Sequence, residues 1–211
     1  PMEFERGTGV FSSEGESIGK LRRVVIDPAT KKVAALIVER GLLFTEEKLV
    51  PLTLVDRVED DRVILSSSKA GLAELDRFEE THYVPRNEGG EQLEAYYWNP
   101  PTQGLTNSPY PVLPYPVYVE SSRPNIPDNF IALKEGARVL TEDGVHAGNL
   151  ERLIMNPETE QATHFVISSG FLTKERKLLP AHWIKDVTED EVHLSVEADL
   201  FDRLSEYPTR E

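Results

Sequence analysis

Hydrophobic residues recur along the chain in short runs bounded by turn-forming residues, a pattern typical of β-strands. Positions 18–27 are rich in leucine, valine and isoleucine and end at the turn sequence DPAT, in which Asp27 can bond its own backbone. The continuous run VAALIV at positions 33–38 follows and predicts an antiparallel return strand, which Gly41 ends. The two runs together predict a β-hairpin.

The pattern then continues with shorter elements. Three apolar segments predict further strands, at positions 48–50, 54–55 and 63–65. Beyond Ser66 the spacing of Leu72, Leu75 and Phe78 predicts a short helix that packs on the end of the sheet. Short strands with close turns favour a sheet closed on itself, because closure removes exposed edges. The sequence therefore predicts an all-β fold and a small six-stranded barrel.

The whole pattern occurs twice. Sliding the chain against itself by 129 positions aligns two long segments without a gap, so that turn glycines and prolines coincide. Examples of the identities are Gly15 with Gly144, Gly19 with Gly148, Arg23 with Arg152, Pro28 with Pro157, Lys48 with Lys177, Pro51 with Pro180 and Ser66 with Ser195. The second hairpin turn is NPET at positions 156–159, and Phe201, Leu204 and Tyr207 repeat the helical spacing. Because glycine and proline fix backbone shape, the duplication is one of geometry.

Three segments follow from the duplication: a first repeat at 7–80, a connecting segment at 81–131 and a second repeat at 132–211. Each repeat is near the lower size limit for independent folding, so packing of the two copies against each other, or dimerisation, is expected. We further expect each copy to close into its own all-β core.

The connecting segment has an unusual composition. Nine of the 15 prolines lie between Glu79 and Ala132, which excludes regular helix there. The segment is too aromatic for a solvated linker, and its candidate interaction residues are Tyr96, Tyr97, Trp98, Tyr110, Tyr115 and Tyr118. Two interpretations stay open: a proline-rich peptide that docks in a partner's aromatic groove, and an extended strap that covers apolar surface of its own chain or dimer mate.

Charge and composition narrow the function classes. A net charge of −14 and a pI near 4.9 repel phosphate backbones and anionic membrane surfaces, so a nucleic-acid partner is not expected. The chain has no cysteine, which excludes disulfides and thiolate metal sites. There is no apolar stretch long enough to span a bilayer, and positions 1–7 lack the apolar run of a signal peptide. A cytoplasmic protein with no transmembrane segment is the expectation.

Four histidines raise the possibility of a zinc site, since imidazole is a common zinc ligand. They are His146, His164, His182 and His193, all in the second copy. Their spacing does not match a close metal-ligand motif, and their counterparts in the first copy are Ser17, Ala35, Thr53 and Ile64. Surface or partly buried histidines are the preferred interpretation, and neither a metal nor another cofactor is predicted.

Catalytic motifs are also missing from the sequence. The clustered carboxylates at 46–47, 59–61 and 189–191 could serve acid-base chemistry, but they fall in predicted turns, where charged residues are expected. The chain contains no phosphate-binding loop, nucleophile elbow or dinucleotide fingerprint. The sequence therefore predicts a protein that is not an enzyme.

Each copy resembles a PRC-barrel domain, the module named for the cytoplasmic barrel of the photosynthetic reaction centre. The second copy carries the resemblance most clearly, with its glycine turn at 143–144, the sequence NPET, the apolar run 164–167, KLLP at 177–180 and EVHL at 191–194. The resemblance implies a six-stranded barrel used for docking or shielding. It also implies similarity to stand-alone soluble bacterial members and, more distantly, to a ribosome maturation factor.

These observations favour a non-enzymatic interaction module that binds a protein partner or associates with itself. The alternative is a protein that binds a small molecule or ion in the cleft between the copies, because domain interfaces often form pockets. A ribosome-assembly accessory is a third hypothesis, which rests on the family resemblance.

Overall fold

The structure is a computed structural model. It describes residues 1–5, 7–40, 46–59, 62–85, 118–134, 136–169 and 175–208, and the side chains of 80–85 and 118–122 are outside the description.

The described residues within 1–78 form seven strands, one 3-10 turn and one short helix. The elements are β1 (Met2–Glu5), β2 (Gly9–Phe11), β3 (Ser17–Ile26), β4 (Val33–Arg40), β5 (Glu46–Pro51), the 3-10 turn Leu52–Leu54, β6 (Val55–Glu59), β7 (Arg62–Leu65) and α1 (Lys69–Ala73). Two strands of the connecting region follow, β8 (Glu79–Pro85) and β9 (Tyr118–Pro124).

The same order of elements returns after residue 125. The elements are β10 (Ile131–Lys134), β11 (Arg138–Leu140), β12 (His146–Asn156), β13 (Gln161–Ser169), β14 (Glu175–Pro180), the 3-10 turn Ala181–Trp183, β15 (Ile184–Val187), β16 (Glu191–Leu194) and α2 (Ala198–Asp202). The two predicted hairpins are β3–β4 and β12–β13. The all-β class is confirmed.

Each repeat forms one sheet with the same strand order. The order is β5-β4-β3-β2-β7-β6 in the first half and β14-β13-β12-β11-β16-β15 in the second, with β2 and β7 parallel, as are β11 and β16. Among the described residues no ladder joins β5 to β6 or β14 to β15. The prediction of a barrel closed on itself is therefore wrong: each sheet has two ends.

The seventh strand of each sheet comes from the other half. Strand β1 pairs antiparallel with β12, and Phe4 lies opposite Leu153. Strand β10 pairs antiparallel with β3, and Leu133 lies opposite Val24. Both pairings relate positions that are equivalent under the shift of 129, so the halves exchange their first strands reciprocally.

The hydrophobic core is shared. One continuous cluster of buried residues contains side chains of both halves, including Phe4, Leu21, Leu133 and Leu153. The expectation that each copy closes into its own core is wrong, because the exchanged strands carry buried side chains across. The expected packing of the two copies against each other is observed.

Turn residues explain several repeated positions. The backbone N–H of Ala29 donates to Asp27 Oδ1 over 2.8 Å, and in the second copy the N–H of Glu158 donates to Asn156 Oδ1 over 2.9 Å. The predicted side-chain-to-backbone bond in this turn is confirmed. An amide oxygen in one copy thus accepts the same backbone bond that a carboxylate oxygen accepts in the other.

The turn at Asp27 makes the stability of the fold depend on pH. The pKa of Asp27 is held below its usual 3.8, chiefly by the backbone N–H of Ala29. Its carboxylate therefore stabilises the folded state above the unfolded pKa, and this contribution disappears as the pH falls through the folded pKa. We expect Asp27→Asn to be less stable than the wild type near neutral pH and equally stable in strong acid, by urea unfolding. A stability difference that did not change with pH would contradict the assignment.

A lysine that occupies the same position in both repeats caps the C-terminal end of each short helix. Lys177 is buried, and its ammonium group donates to the carbonyl oxygens of Phe201 (3.4 Å) and Asp202 (3.0 Å), above the Phe201 ring. In the first half Lys48 donates to the carbonyl oxygens of Ala73 and Leu75. A cation at a helix C-terminus satisfies its unpaired carbonyl groups and favours the helix dipole.

Replacing this lysine tests the helix cap. We expect Lys177→Met to lower the free energy of unfolding by about 1–3 kcal/mol, because buried carbonyl groups lose a charged donor. Lys185→Met is the control, since Lys185 is exposed and its ion pair with Glu142 spans 3.6 Å; its cost is expected below about 0.5 kcal/mol. Equal losses for the two variants in urea unfolding would show that Lys177 is not a cap.

The described part of the chain divides into two compact units. Residues 1–78 together with 125–211 form one, and 79–124 form the other. Within the second unit β8 and β9 form an antiparallel ladder in which Pro85 lies opposite Tyr118. The division into repeats at 7–80 and 132–211 stays a prediction; β1 lies before the first repeat so defined, and β10 crosses the boundary at 131.

Both α-helices in the described residues contain five residues, and no helix there is long and apolar enough to cross a membrane.

Candidate interaction surface

Most of the aromatic residues predicted for interaction lie in the part of the chain that the structure does not describe. Tyr96, Tyr97, Trp98, Tyr110 and Tyr115 lie outside the described residues. Tyr118 begins β9, where its backbone is described and its side chain is not. Their role in binding stays a prediction.

The four histidines have separate local partners. His146 Nε2 lies 3.2 Å from Asn149 Oδ1, and His193 Nε2 lies 3.2 Å from a carboxylate oxygen of Glu191. The ring of His182 contacts its neighbour Trp183 edge to face, and His164 lies opposite Pro180 in the β13–β14 ladder. No group of three potential metal ligands comes together among the residues that the structure describes.

The carboxylates at 189–191 take part in ion pairs. Lys134 Nζ lies 2.8 Å from Asp190 and 3.6 Å from Glu189, and Arg23 of the first half lies 3.8 Å from Glu189. The hydrogen bond to Asp190 raises the pKa of Lys134. This turn, predicted as a solvated loop, therefore joins the two halves electrostatically.

Arg152 makes the corresponding contact on the other side. Its guanidinium donates to Glu3 over 2.5 Å and also to Glu5, and only 13% of its side chain is exposed. Burial lowers the pKa of Arg152, but the bonds to both carboxylates outweigh burial and the pKa is raised overall. Arg152 thus forms ion pairs with β1, the strand that the first half contributes.

A different feature lies at one end of the second half. The turn between β11 and β12 contacts the segment that leads into α2: the N–H of Glu142 donates to the carbonyl of Val196 (2.8 Å), and Asp143 Oδ1 accepts from the N–H of Ala198 (3.3 Å). Thr141 Oγ1 also donates to Asp143, and this bond is the main reason that the pKa of Asp143 is lowered. These bonds hold the turn and the helix start together.

Exposed apolar side chains accompany this contact. Val145 is 49% exposed and Leu200 is 43% exposed, and they are the large hydrophobic residues that stand exposed in the described part of the chain. Each lies two positions from a residue of the Asp143–Ala198 hydrogen bond. Contiguous apolar patches rimmed by polar residues mark interaction sites, whereas single exposed apolar residues are common on protein surfaces.

Carboxylates surround the two apolar residues in sequence, and we define the acidic end as Glu142, Asp143, Val145, Glu197, Asp199 and Leu200. All four of its acidic residues are exposed. Within the described residues, no lysine or arginine lies within ion-pair distance of Glu197 or Asp199. Glu142 pairs with Lys185, so over the described ranges of the chain the negative charge that stands beside apolar surface without a cation is that of Glu197 and Asp199.

The first half lacks this surface. The counterparts of Val145 and Leu200 are Glu16 and Gly71, and the end instead forms an open groove of about 450 Å³ whose lining includes Lys69. The sequence does not mark the acidic end directly, because its residues fall in predicted turns and a short helix. The available signal was the departure from the repeat, in which apolar side chains replace glutamate and glycine.

The comparisons with known proteins bear on the first half. The family model of the PRC-barrel domain matches residues 6–72. No curated protein matches the chain. The matched range spans β2 to α1, the same elements whose order and parallel β2–β7 pairing recur in the second half. Residues 6–72 of this chain are a PRC-barrel domain.

Proposed function

We propose that the protein is a non-enzymatic docking module, and that the acidic end of the second half is the surface that binds a protein partner. The observation that carries the proposal is the exposure of Val145 and Leu200 beside four exposed carboxylates. We also propose that the second half is a further PRC-barrel repeat, which its matching strand order supports.

The distribution of charge supports a partner with a basic surface. Residues 125–211 contain 17 acidic and nine basic residues, whereas residues 1–78 contain 14 and 12. Most of the net negative charge of the strand-exchanged unit therefore belongs to the half that carries the exposed leucine and valine. Complementary charge speeds association and fixes orientation, while buried apolar contacts supply affinity.

The construction of the acidic end supports docking in another way. The main-chain bond from Glu142 to Val196 and the cap on α2 by Lys177 hold its two segments in place before a partner arrives. Preorganised contact residues lose less conformational entropy on binding. A surface built on the ends of a sheet in this way suits a partner segment that carries lysine or arginine beside apolar side chains.

The experiment compares proteins retained from a lysate of the source cells by the wild type and by the double variant Glu197→Lys/Asp199→Lys. The matched control is Glu14→Lys/Glu74→Lys, which makes the same charge change at exposed positions of the first half. We expect the wild type and the control to enrich the same proteins, and the acidic-end variant to lose them at least tenfold by quantitative mass spectrometry.

Leu200→Asp separates apolar contact from charge, since it adds a carboxylate to the acidic end while removing the leucine. Loss of the same proteins with Leu200→Asp supports docking through both kinds of contact. Equal retention by all variants, or no protein retained above the bare resin, would refute the proposal. Circular dichroism of each variant confirms that its fold is intact.

A further inference from the structure

Equivalent residues of the two halves face each other where the hairpins meet. Lys32 and Gln161, which are equivalent under the shift of 129, form a bridge with each other. On either side of it the N–H of Val33 donates to the carbonyl of Glu160 over 2.8 Å, and the N–H of Ala162 donates to the carbonyl of Lys31 over 2.9 Å. The halves are therefore related by an approximate two-fold axis, as in a symmetric dimer.

The charges do not follow this symmetry. At ten aligned positions one half carries an acidic residue where the other carries a basic one, whereas six aligned positions keep the sign. Examples of the reversal are Glu5 with Lys134, Lys31 with Glu160 and Arg57 with Asp186. The two halves thus share their backbone geometry but carry opposite charges at many equivalent positions.

Several reversed positions lie at contacts between the halves. Lys32 Nζ lies 3.1 Å from Glu160, and Arg152 bonds Glu3 and Glu5 of the exchanged strand. Burial lowers the pKa of Lys31, and Asp186 of the other half is the first of the carboxylates that oppose this shift by attraction. The contacts of Lys32 and Lys31 join opposite charges only because the two halves differ, whereas Arg23, the counterpart of Arg152, lies opposite Lys134.

Pairing of like halves would place like charges at two of these three contacts, and a pair of first halves would keep only the attraction of Arg23 for Glu3 and Glu5. In a pair of first halves, Lys32 would meet Lys31 of the other copy, because Lys31 is the counterpart of Glu160. In a pair of second halves, Arg152 would meet Ala132 and Lys134 instead of Glu3 and Glu5. Like charges placed opposite each other disfavour the wrong partner, which is how charge patterns select partners in other assemblies.

We infer that each half is a selective binding partner for the other half: the surface exposed by removing one half accepts the opposite half, from the same chain or from a second copy, and rejects a like half. Strand pairing supplies the common geometry, and the reversed charges supply the selectivity.

The test uses the full chain with a protease site inserted between Gly104 and Leu105, so that cleavage leaves both halves intact. After cleavage, native mass spectrometry is expected to show the two fragments as a one-to-one complex. After unfolding in urea and dilution, the same mixed complex is expected in at least tenfold excess over pairs of like fragments. Separation of the fragments, or a random mixture of like and unlike pairs, would overturn the inference.

A charge reversal tests the selectivity itself. Arg152→Glu in the cleavable chain places a carboxylate against Glu3 and Glu5, and against Lys134 in a pair of second halves. We expect the ratio of mixed to second-half pairs to fall at least tenfold, and Glu3→Lys/Glu5→Lys to restore it. Arg138→Glu is the control, because the ion pair of Arg138 with Glu191 lies inside the second half. An unchanged ratio in Arg152→Glu, or an equal fall in the control, would show that charge does not select the partner.

Discussion

Phe4→Ala is expected to lower the free energy of unfolding by about 3–5 kcal/mol, the usual cost of removing a fully buried phenylalanine. Phe4 lies on the exchanged strand β1, opposite Leu153, and its side chain is completely buried in the shared core. A large effect here follows only if β1 is an integral strand of the second sheet.

Phe11→Ala serves as the matched control. Phe11 lies on the short strand β2 and is only partly buried, beneath the guanidinium of Arg62 at 4.1 Å. Its truncation is expected to cost about 1–2 kcal/mol, from partial burial and the lost cation–π contact. Urea unfolding followed by circular dichroism measures both variants. A cost for Phe4→Ala no greater than that for Phe11→Ala would place β1 outside the core.

Gly148→Ala is expected to destabilise the fold by about 3 kcal/mol or more, because the added methyl group both overfills the site and strains the backbone. A Cβ at this position would lie 2.5 Å from the carbonyl oxygen of Ser168 on the paired strand, and φ is +143°. The repeat makes the same demand at Gly19, where the Cβ would collide with the carbonyl oxygen of Glu39. The glycine therefore allows close approach of β12 and β13.

Gly144→Ala separates strain from collision. Gly144 has a φ of +80°, but a Cβ there would meet no atom within 4 Å. Its expected cost is only the left-handed backbone penalty of about 1–2 kcal/mol. Chemical unfolding of the two alanine variants measures the difference, and a Gly148→Ala variant as stable as Gly144→Ala would contradict the close-approach explanation.

Local features of the fold could be predicted from the sequence because they depend on neighbouring residues. The apolar runs on either side of Asp27 correctly predicted the β3–β4 hairpin, and the shift of 129 located its copy. Phe78 was placed in the helical pattern, yet α1 ends at Ala73 and Phe78 is buried beside Val25 and Ile37. A three-residue spacing cannot separate one helical turn from an extended segment that follows it.

Strand exchange could not be predicted in the same way. No strand was predicted at positions 2–5, and the alternation of apolar and polar residues in β1 does not state whether it pairs with β3 or with β12, because ladder geometry is the same for both. A closed barrel was predicted for each copy, since closure is the local means of covering strand edges. In the structure β1 instead pairs with β12, and β10 with β3, so that each first strand adds to the sheet of the opposite half. The reversed charges, such as Glu5 against Lys134, were the available sign that the copies are complementary.

The candidate surface was less predictable than the fold. The aromatic segment drew attention by composition, and five of its six named residues lie outside the described chain. The acidic end depends on exposure, which a sequence does not give directly: Leu72 and Leu204 of the same helical regions are buried or half-buried, whereas Leu200 is exposed. Only a comparison of the copies position by position distinguishes it.

Nuclear Overhauser effects between the first strands and their partners test the central claim most directly. For the uncut, isotopically labelled chain, the reciprocal exchange predicts cross-strand contacts between Phe4 and Leu153 and between Leu133 and Val24. These contacts should persist on dilution, since both pairings lie within one chain. Contacts of Phe4 with Val24 and of Leu133 with Leu153 instead would mean that each half keeps its own first strand, and would contradict the account.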